Sequence, residues 1–180
     1  LESALPIFKK HKQSDDIQIG YIYYNLGYSY NNQRNYEKAI QYWESALSIF
    51  QHHLKTNGVR IGDIYYKLGY SYYNHKNNEK AIQYLESALS IFKKHLKTDA
   101  IHIGDIYYKL GCSYYNQKNN QKTIQYLESA LPIFKHHLKT DYIHICDIYY
   151  KLGCSYFHQK NNEKAIQYFE SALPIFKKHK

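Results

Sequence analysis

The sequence predicts an all-α fold, an α-solenoid of antiparallel helix pairs, on three observations. The 180-residue chain repeats every 42 residues without insertion or deletion, Leu26-Gly27, Leu68-Gly69, Leu110-Gly111 and Leu152-Gly153 heading aligned segments, and copies 62–103 and 104–145 agree at 35 of 42 positions. A fixed period of this size marks stacked supersecondary units, each burying its apolar face against its neighbours. Each copy also carries two apolar stripes at three- and four-residue steps, the spacing of one helix face. Glycine and alanine return at fixed places within those stripes, which excludes bulk there.

Taken in order, residues 1–19 read as the end of a preceding repeat's second helix plus a linker, because LESALPIFKKHK at 1–12 recurs as FESALPIFKKHK at 169–180. Repeats follow at 20–61, 62–103, 104–145 and 146–180, the last truncated, so 1–180 reads as one continuous solenoid and as a window on a longer array. No distinctive polar cap is visible at either end, and uncapped ends favour further repeats or self-stacking.

Within one repeat, the Thr56-Asn57-Gly58 cluster starts helix A, whose buried stripe is Ile61, Tyr65, Leu68, Gly69 and Tyr72. Asn77-Asn78 breaks the pattern and caps helix B, with Glu79 complementing the positive end of its dipole. Helix B buries Ala81, Leu85, Ala88, Leu89 and Phe92, and closes in basic residues and Lys97-Thr98-Asp99. Glycine inside a helix costs about 1 kcal/mol against alanine, so its return as Gly69 in every copy marks a place where helices A and B approach closely. Gly62 and Gly104 extend this seam, and Cys146 fills the corresponding place in the last copy.

Tyr65-x-x-Leu68-Gly69-x-x-Tyr72, followed by Ala81-x-x-x-Leu85 and Ala88, resembles the tetratricopeptide repeat signature, with Tyr where that signature often has Trp. The match recurs at Tyr23, Leu26, Gly27, Tyr30, Ala39, Trp43 and Ala46; at Tyr107, Leu110, Gly111, Tyr114, Leu127 and Ala130; and at Tyr149, Leu152, Gly153, Tyr156, Ala165, Phe169 and Ala172. The 42-residue period and KTD-type linkers resemble the kinesin light chain subtype. Thr123 departs from the expected Ala. Pro132 and Pro174 fall three residues early and are expected to bend helix B, which Ser48 and Ser90 would leave straighter. The resemblance implies a right-handed superhelix whose helices A line a concave side that receives extended peptides.

A second stripe on helix A, offset from the buried one, supplies an aromatic ladder: Tyr24, Tyr28 and Asn31; Tyr66, Tyr70 and Tyr73; Tyr108, Cys112 and Tyr115; Tyr150, Cys154 and Phe157. Tyrosine pairs a large apolar face with a polar tip at low entropy cost, which suits recognition; the alternative is that these rings pack between adjacent helices A. Asn25, Asn32, Asn74 and Asn116 flank the ladder and, by the resemblance, would bond a ligand's backbone. Lys67, Lys109 and Lys151 face the same way and would suit an acidic peptide, but Asp63, Asp105 and Asp147 precede them by four residues and are expected to pair with them. If the ladder lines a groove, replacing Tyr66, Tyr108 and Tyr150 by alanine weakens partner binding without changing melting.

The formal charge of +9 concentrates at Lys93-Lys94-His95-Leu96-Lys97, Lys135-His136-His137-Leu138-Lys139 and the stretches at 9–12, 51–55 and 177–180. Cations at helix C-termini offset the dipole, which accounts for this basic edge without nucleic acid or an anionic membrane surface. No apolar run is long enough to span a membrane. Cys146 and Cys154 lie eight apart on one helix, about 12 Å along its axis, beyond disulfide reach. With few cysteines and no Asn-x-Ser/Thr sequon, a reduced, cytoplasmic setting is expected.

CxxC, HExxH, P-loop and GxSxG patterns are missing, and adjacent pairs such as His52-His53 point about 100° apart on a helix, so no catalytic, cofactor or metal site is expected. The expectation is a non-enzymatic protein-interaction scaffold binding an extended partner segment in a Tyr/Asn-rich concave groove. Because the pockets are close copies, the alternative is a structural array or self-assembling filament in which repeats stack end to end.

Overall fold

The computed structural model describes residues 14–53, 58–95, 100–137 and 142–178, which form eight helices with no strand among them. In chain order they are α1 (Ser14–Asn32), α2 (Tyr36–His53), α3 (Gly58–Asn74), α4 (Asn78–His95), α5 (Ala100–Asn116), α6 (Asn120–His137), α7 (Tyr142–His158) and α8 (Asn162–Lys178). The odd-numbered helices are helices A and the even-numbered ones helices B. The segment at 1–12, the KTD-type linkers and the outer parts of the basic stretches lie outside the described residues.

The chain divides into two compact units, Leu1–Leu96 and Lys97–Lys180. In the first, α1 pairs with α2 and α3 with α4, and α2 packs on α3. In the second, α5 pairs with α6 and α7 with α8, α6 packs on α7, and α5 touches α7. One expectation is corrected here. Ser14–Ile19, assigned by the repeat frame to a linker, belong to α1, so boundaries at 20, 62, 104 and 146 fall inside helices A. Ser14 followed by two aspartates is a helix-opening composition that a frame anchored on the small-residue seam passes over.

The turn inside each hairpin is built from backbone bonds. Asn77 N–H donates to Tyr72 O at 2.9 Å and Lys76 N–H to Tyr73 O at 3.0 Å, the two bonds of a Schellman closure, with Lys76 in the left-handed region at φ 61°. Asn77 then caps α4, its Oδ1 accepting from Lys80 N–H at 3.1 Å. Arg34, Lys118 and Lys160 take the same positive φ in the other three turns. A β-carbon there costs about 1 kcal/mol, and glycine is the usual occupant. Lys76→Gly should therefore stabilise the chain by about that amount, read as a higher urea midpoint; an unchanged or lower midpoint would show that the lysine side chain compensates the strain.

The stripes bury as their spacing requires. Leu68, Ala81, Leu85, Ala88, Leu89 and Phe92 are buried in the α3–α4 hairpin, and Tyr65 and Ile61 are half-buried beside them. The glycine seam is tight in every hairpin: a β-carbon on Gly69 would stand 2.6 Å from Leu85 Cγ, one on Gly27 2.5 Å from Trp43 Nε1, and one on Gly153 2.6 Å from Phe169 Cε1. Cys146 occupies the seam position of Gly62 and Gly104 as a small buried side chain, its Sγ 3.5 Å from Ala172 O. Both α6 and α8 continue through their prolines, Pro132 and Pro174.

A polar array joins consecutive repeats away from this seam. Tyr72 Oη donates to Glu44 Oε1 at 2.7 Å, Tyr84 Oη lies 3.4 Å from the same oxygen, and Lys80 Nζ donates to Tyr72 Oη at 3.2 Å. The Tyr72 and Tyr84 rings stack with centroids 5.5 Å apart. The second unit repeats the array, with Tyr156, Tyr168 and Lys164 gathered on Glu128. Burial, then the glutamate, pushes Tyr84 up to about 12 from its ordinary 10 and raises Tyr72, Tyr156 and Tyr168.

Below pH 10 these phenols are neutral in both folded and unfolded chains, and the stability linked to them is fully present. Above 10 the unfolded chain ionises first, so that stability is lost as pH climbs through the folded values. Helicity should fall cooperatively with phenolate absorbance between about pH 10 and 12. Ionisation of every tyrosine with helicity intact would contradict the burial assigned to these rings.

Candidate binding groove on the A helices

The ladder side chains stand on α1, α3, α5 and α7, held in place by the buried stripe on the same helices. The structure divides them into two kinds. Tyr28 on α1 is 49% exposed, and on α7 Tyr150 and Phe157 are 47% and 60% exposed. Asn25, Asn32 and Asn116 are exposed as well. Tyr66, Tyr70, Tyr73 and Tyr115 are half-buried, as is Asn74, whose Nδ2 donates to Tyr70 O at 2.9 Å.

Two ladder tyrosines instead tie one repeat to the next. Tyr24 Oη donates to Asp63 Oδ2 at 2.6 Å, and Tyr108 Oη to Asp147 Oδ2 at 2.8 Å. Tyr108, assigned to the binding face, is only 9% exposed and packs edge-on against His144 with centroids 4.9 Å apart. This corrects the expected triple substitution: Tyr108→Ala removes a buried, hydrogen-bonded ring and so lowers melting as well. Cys112 is buried next to it, its Sγ 3.9 Å from Asp147 Oδ2, and burial pushes its thiol up to about 11, leaving it protonated at neutral pH.

The lysines also differ from one another. Lys151 pairs with Asp147 as the four-residue spacing requires, and its ammonium stands 5.4 Å from the Tyr115 ring centroid. Lys67 has no such partner among the described residues, although Asp63 accepts the Tyr24 hydroxyl just as Asp147 accepts that of Tyr108; its ammonium lies 5.6 Å from the centroids of both Tyr28 and Tyr66. Lys109 lies 5.1 Å from the Tyr108 centroid. The Lys67 ammonium, over two aromatic faces, still presents hydrogen-bond donors.

Sequence reasoning assigns Asp63 and Asp147 only to the lysine one turn on. Their second role, accepting from a tyrosine 39 residues earlier, appears once helices A are side by side. The same holds for Arg60 and His144, equivalent positions, the first over the Tyr24 ring and the second edge-on to Tyr108.

At the basic edge, Lys93, Lys94 and His95 end α4, and Lys177 and Lys178 end α8, where they complement the helix dipole. Among the described residues no helix is long and apolar enough to cross a membrane, and no cluster of His, Cys, Asp or Glu is arranged to hold a metal ion.

Residues 18–94 and 102–178 match the family model described as tetratricopeptide repeat, covering most of the chain. The chain belongs to the tetratricopeptide repeat family. The crystal structure of BtubC (BKLC) from P. vanneervenii superimposes with a TM-score of 0.79 at 21% identity, over 99% of this chain and 71% of that one. A putative kinesin light chain from Podosopora anserina, built of nearly identical TPR-like repeats, gives 0.69 at 16% identity over 99% and 85%. A Rap protein complexed with competence and sporulation factor gives 0.67 at 21% identity, over 99% of this chain and 48% of that protein, so the chain spans about half its length.

At these identities the likeness is one of fold. The fold is shared too with a protein named aspartyl phosphate phosphatase F, so fold alone does not decide whether this tetratricopeptide protein has an activity. No curated protein sequence matches the chain.

Proposed function

We propose that the chain is a non-enzymatic protein-interaction scaffold whose helices A hold an extended segment of a partner protein in a groove of tyrosine, asparagine and lysine. The observation that carries this is Lys67, an ammonium suspended over Tyr28 and Tyr66 with no carboxylate partner among the described residues, with Asn25 and Asn32 exposed about one turn from Tyr28 on α1. A ring, a charge and amide groups on one face serve a side chain and a backbone together. Family membership supports the reading, as does the factor bound by the Rap protein of like fold. The free thiols of Cys112, Cys146 and Cys154 support a reducing, cytoplasmic setting.

The test uses a peptide selected from a display library against this chain. Replacing Tyr28 and Lys67 together by alanine should weaken that peptide's binding by about tenfold or more, the scale of losing an anchor residue at an interface. Helicity and melting should stay as they are. Unchanged affinity would remove the groove.

A further inference from the structure

The inference starts at a break in the repeat. Asn32, Asn74 and Asn116 hold one column of the 42-residue pattern, and its fourth member is His158. His158 ends α7, and together with Tyr115, Asn116, Lys118 and Asn120 it lines an open cavity of about 520 Å³ beside the α5–α6 turn. That volume falls within the range of small-molecule sites, about 300–1,000 Å³. All five residues belong to the second compact unit, whereas Tyr28 and Lys67 of the groove proposed above stand in the first, so the two readings are separate.

The lining offers positive charge and hydrogen-bond donors and contains no carboxylate. Lys118 brings an ammonium with three donors, and Asn116 and Asn120 bring amides. The imidazole is oriented by its own helix. His158 Nδ1 lies 2.7 Å from Cys154 O, which can only accept, so Nδ1 carries a hydrogen and Nε2 is left for a ligand. In the imidazolium Nε2 donates to an anion, and in the neutral ring it accepts from a protonated one.

Four side chains able to donate line the cavity, and a phosphate group offers three acceptor oxygens to them where a carboxylate offers two. A phosphate alone fills only part of such a volume. The Tyr115 ring supplies an apolar wall for a flat organic body beside it. We infer that this cavity binds a small phosphorylated molecule with a planar ring, of the nucleoside monophosphate class, its phosphate at Lys118 and His158 and its ring along Tyr115. The net charge of +9 draws such an anion to the chain.

Calorimetric titration of the full chain with AMP tests this, with adenosine and inorganic phosphate as comparison probes. AMP should bind about tenfold or more tightly than either. Lys118→Gly removes the ammonium and keeps the turn, because glycine is the usual occupant at the φ of 59° found there. It should weaken AMP binding about tenfold while the urea midpoint holds or rises. His158→Asn restores the residue of the other three copies and should weaken AMP binding by a similar factor. Lys76→Gly makes the same backbone change in the first unit and should leave AMP binding as it is. AMP bound no better than inorganic phosphate would overturn the ring-bearing ligand. No binding of AMP, binding unchanged by both Lys118→Gly and His158→Asn, or an equal loss in Lys76→Gly would overturn the site.

Discussion

Trp43→Ala should destabilise the first unit by about 3–5 kcal/mol, the range for emptying a buried aromatic site. Trp43 is fully buried, its indole N–H donates to Tyr24 O at 3.1 Å, and its ring lies on Gly27, which has no side chain to follow it into the space left behind. A cavity on the seam between α1 and α2 cannot close without moving one helix along the other, so little of the loss is recovered by relaxation. Small domains have about 5–15 kcal/mol in all, which makes this a large share. The measurement is urea unfolding followed by circular dichroism, since the substitution removes the chain's only tryptophan. Trp43→Leu installs the residue that Leu85 and Leu127 supply at the same place in their own hairpins, and should cost much less. A cost below about 1 kcal/mol for alanine would show that α1 and α2 are not held by this contact.

How far the sequence reveals the fold depends on the range of the contact concerned. Leu68, Gly69, Ala81, Leu85 and Ala88 are legible because each faces a partner within its own hairpin, and an apolar or small residue at helical spacing has one place to go. The cap at Asn77 is legible for the same local reason. Lys76 is not: lysine has no preference for a positive φ, and only the two backbone bonds across the turn show that it must adopt one.

The groove tyrosines are the harder case. Tyr24 and Tyr28 are one turn apart on one face, yet the first donates to Asp63 and the second is half in solvent, a difference set by a helix that begins at Gly58. Tyrosine is equally suited to both environments, so its type carries no information about which it will meet. The partition of Lys67 from Lys151 is no more legible: Asp63 and Asp147 each accept a tyrosine of the preceding repeat, and only Asp147 also holds its lysine.

Gly69→Leu tests the seam from the opposite direction to a cavity. On an isolated helix the change would help, since leucine is favoured over glycine by about 0.8–1 kcal/mol inside a helix. Here even the first added carbon would stand 2.6 Å from Leu85 Cγ and 3.2 Å from the Leu85 backbone nitrogen, and the second distance matters more because a backbone atom cannot turn aside. The rest of the leucine side chain has to force α3 from α4, which also strips Leu68 and Ala88 of their burial. Overpacking commonly costs about 1–3 kcal/mol, and with backbone in the way the upper end is expected, leaving a net loss of about 2 kcal/mol after the propensity gain. Gly58→Ala supplies the control. Its added carbon's nearest neighbours among the described residues are atoms of the exposed His95 ring, from 3.0 Å, and that ring can swing away, so this variant should keep or raise the urea midpoint. If Gly69→Leu melts no earlier than Gly58→Ala, close approach of α3 and α4 is not what glycine supplies at this position.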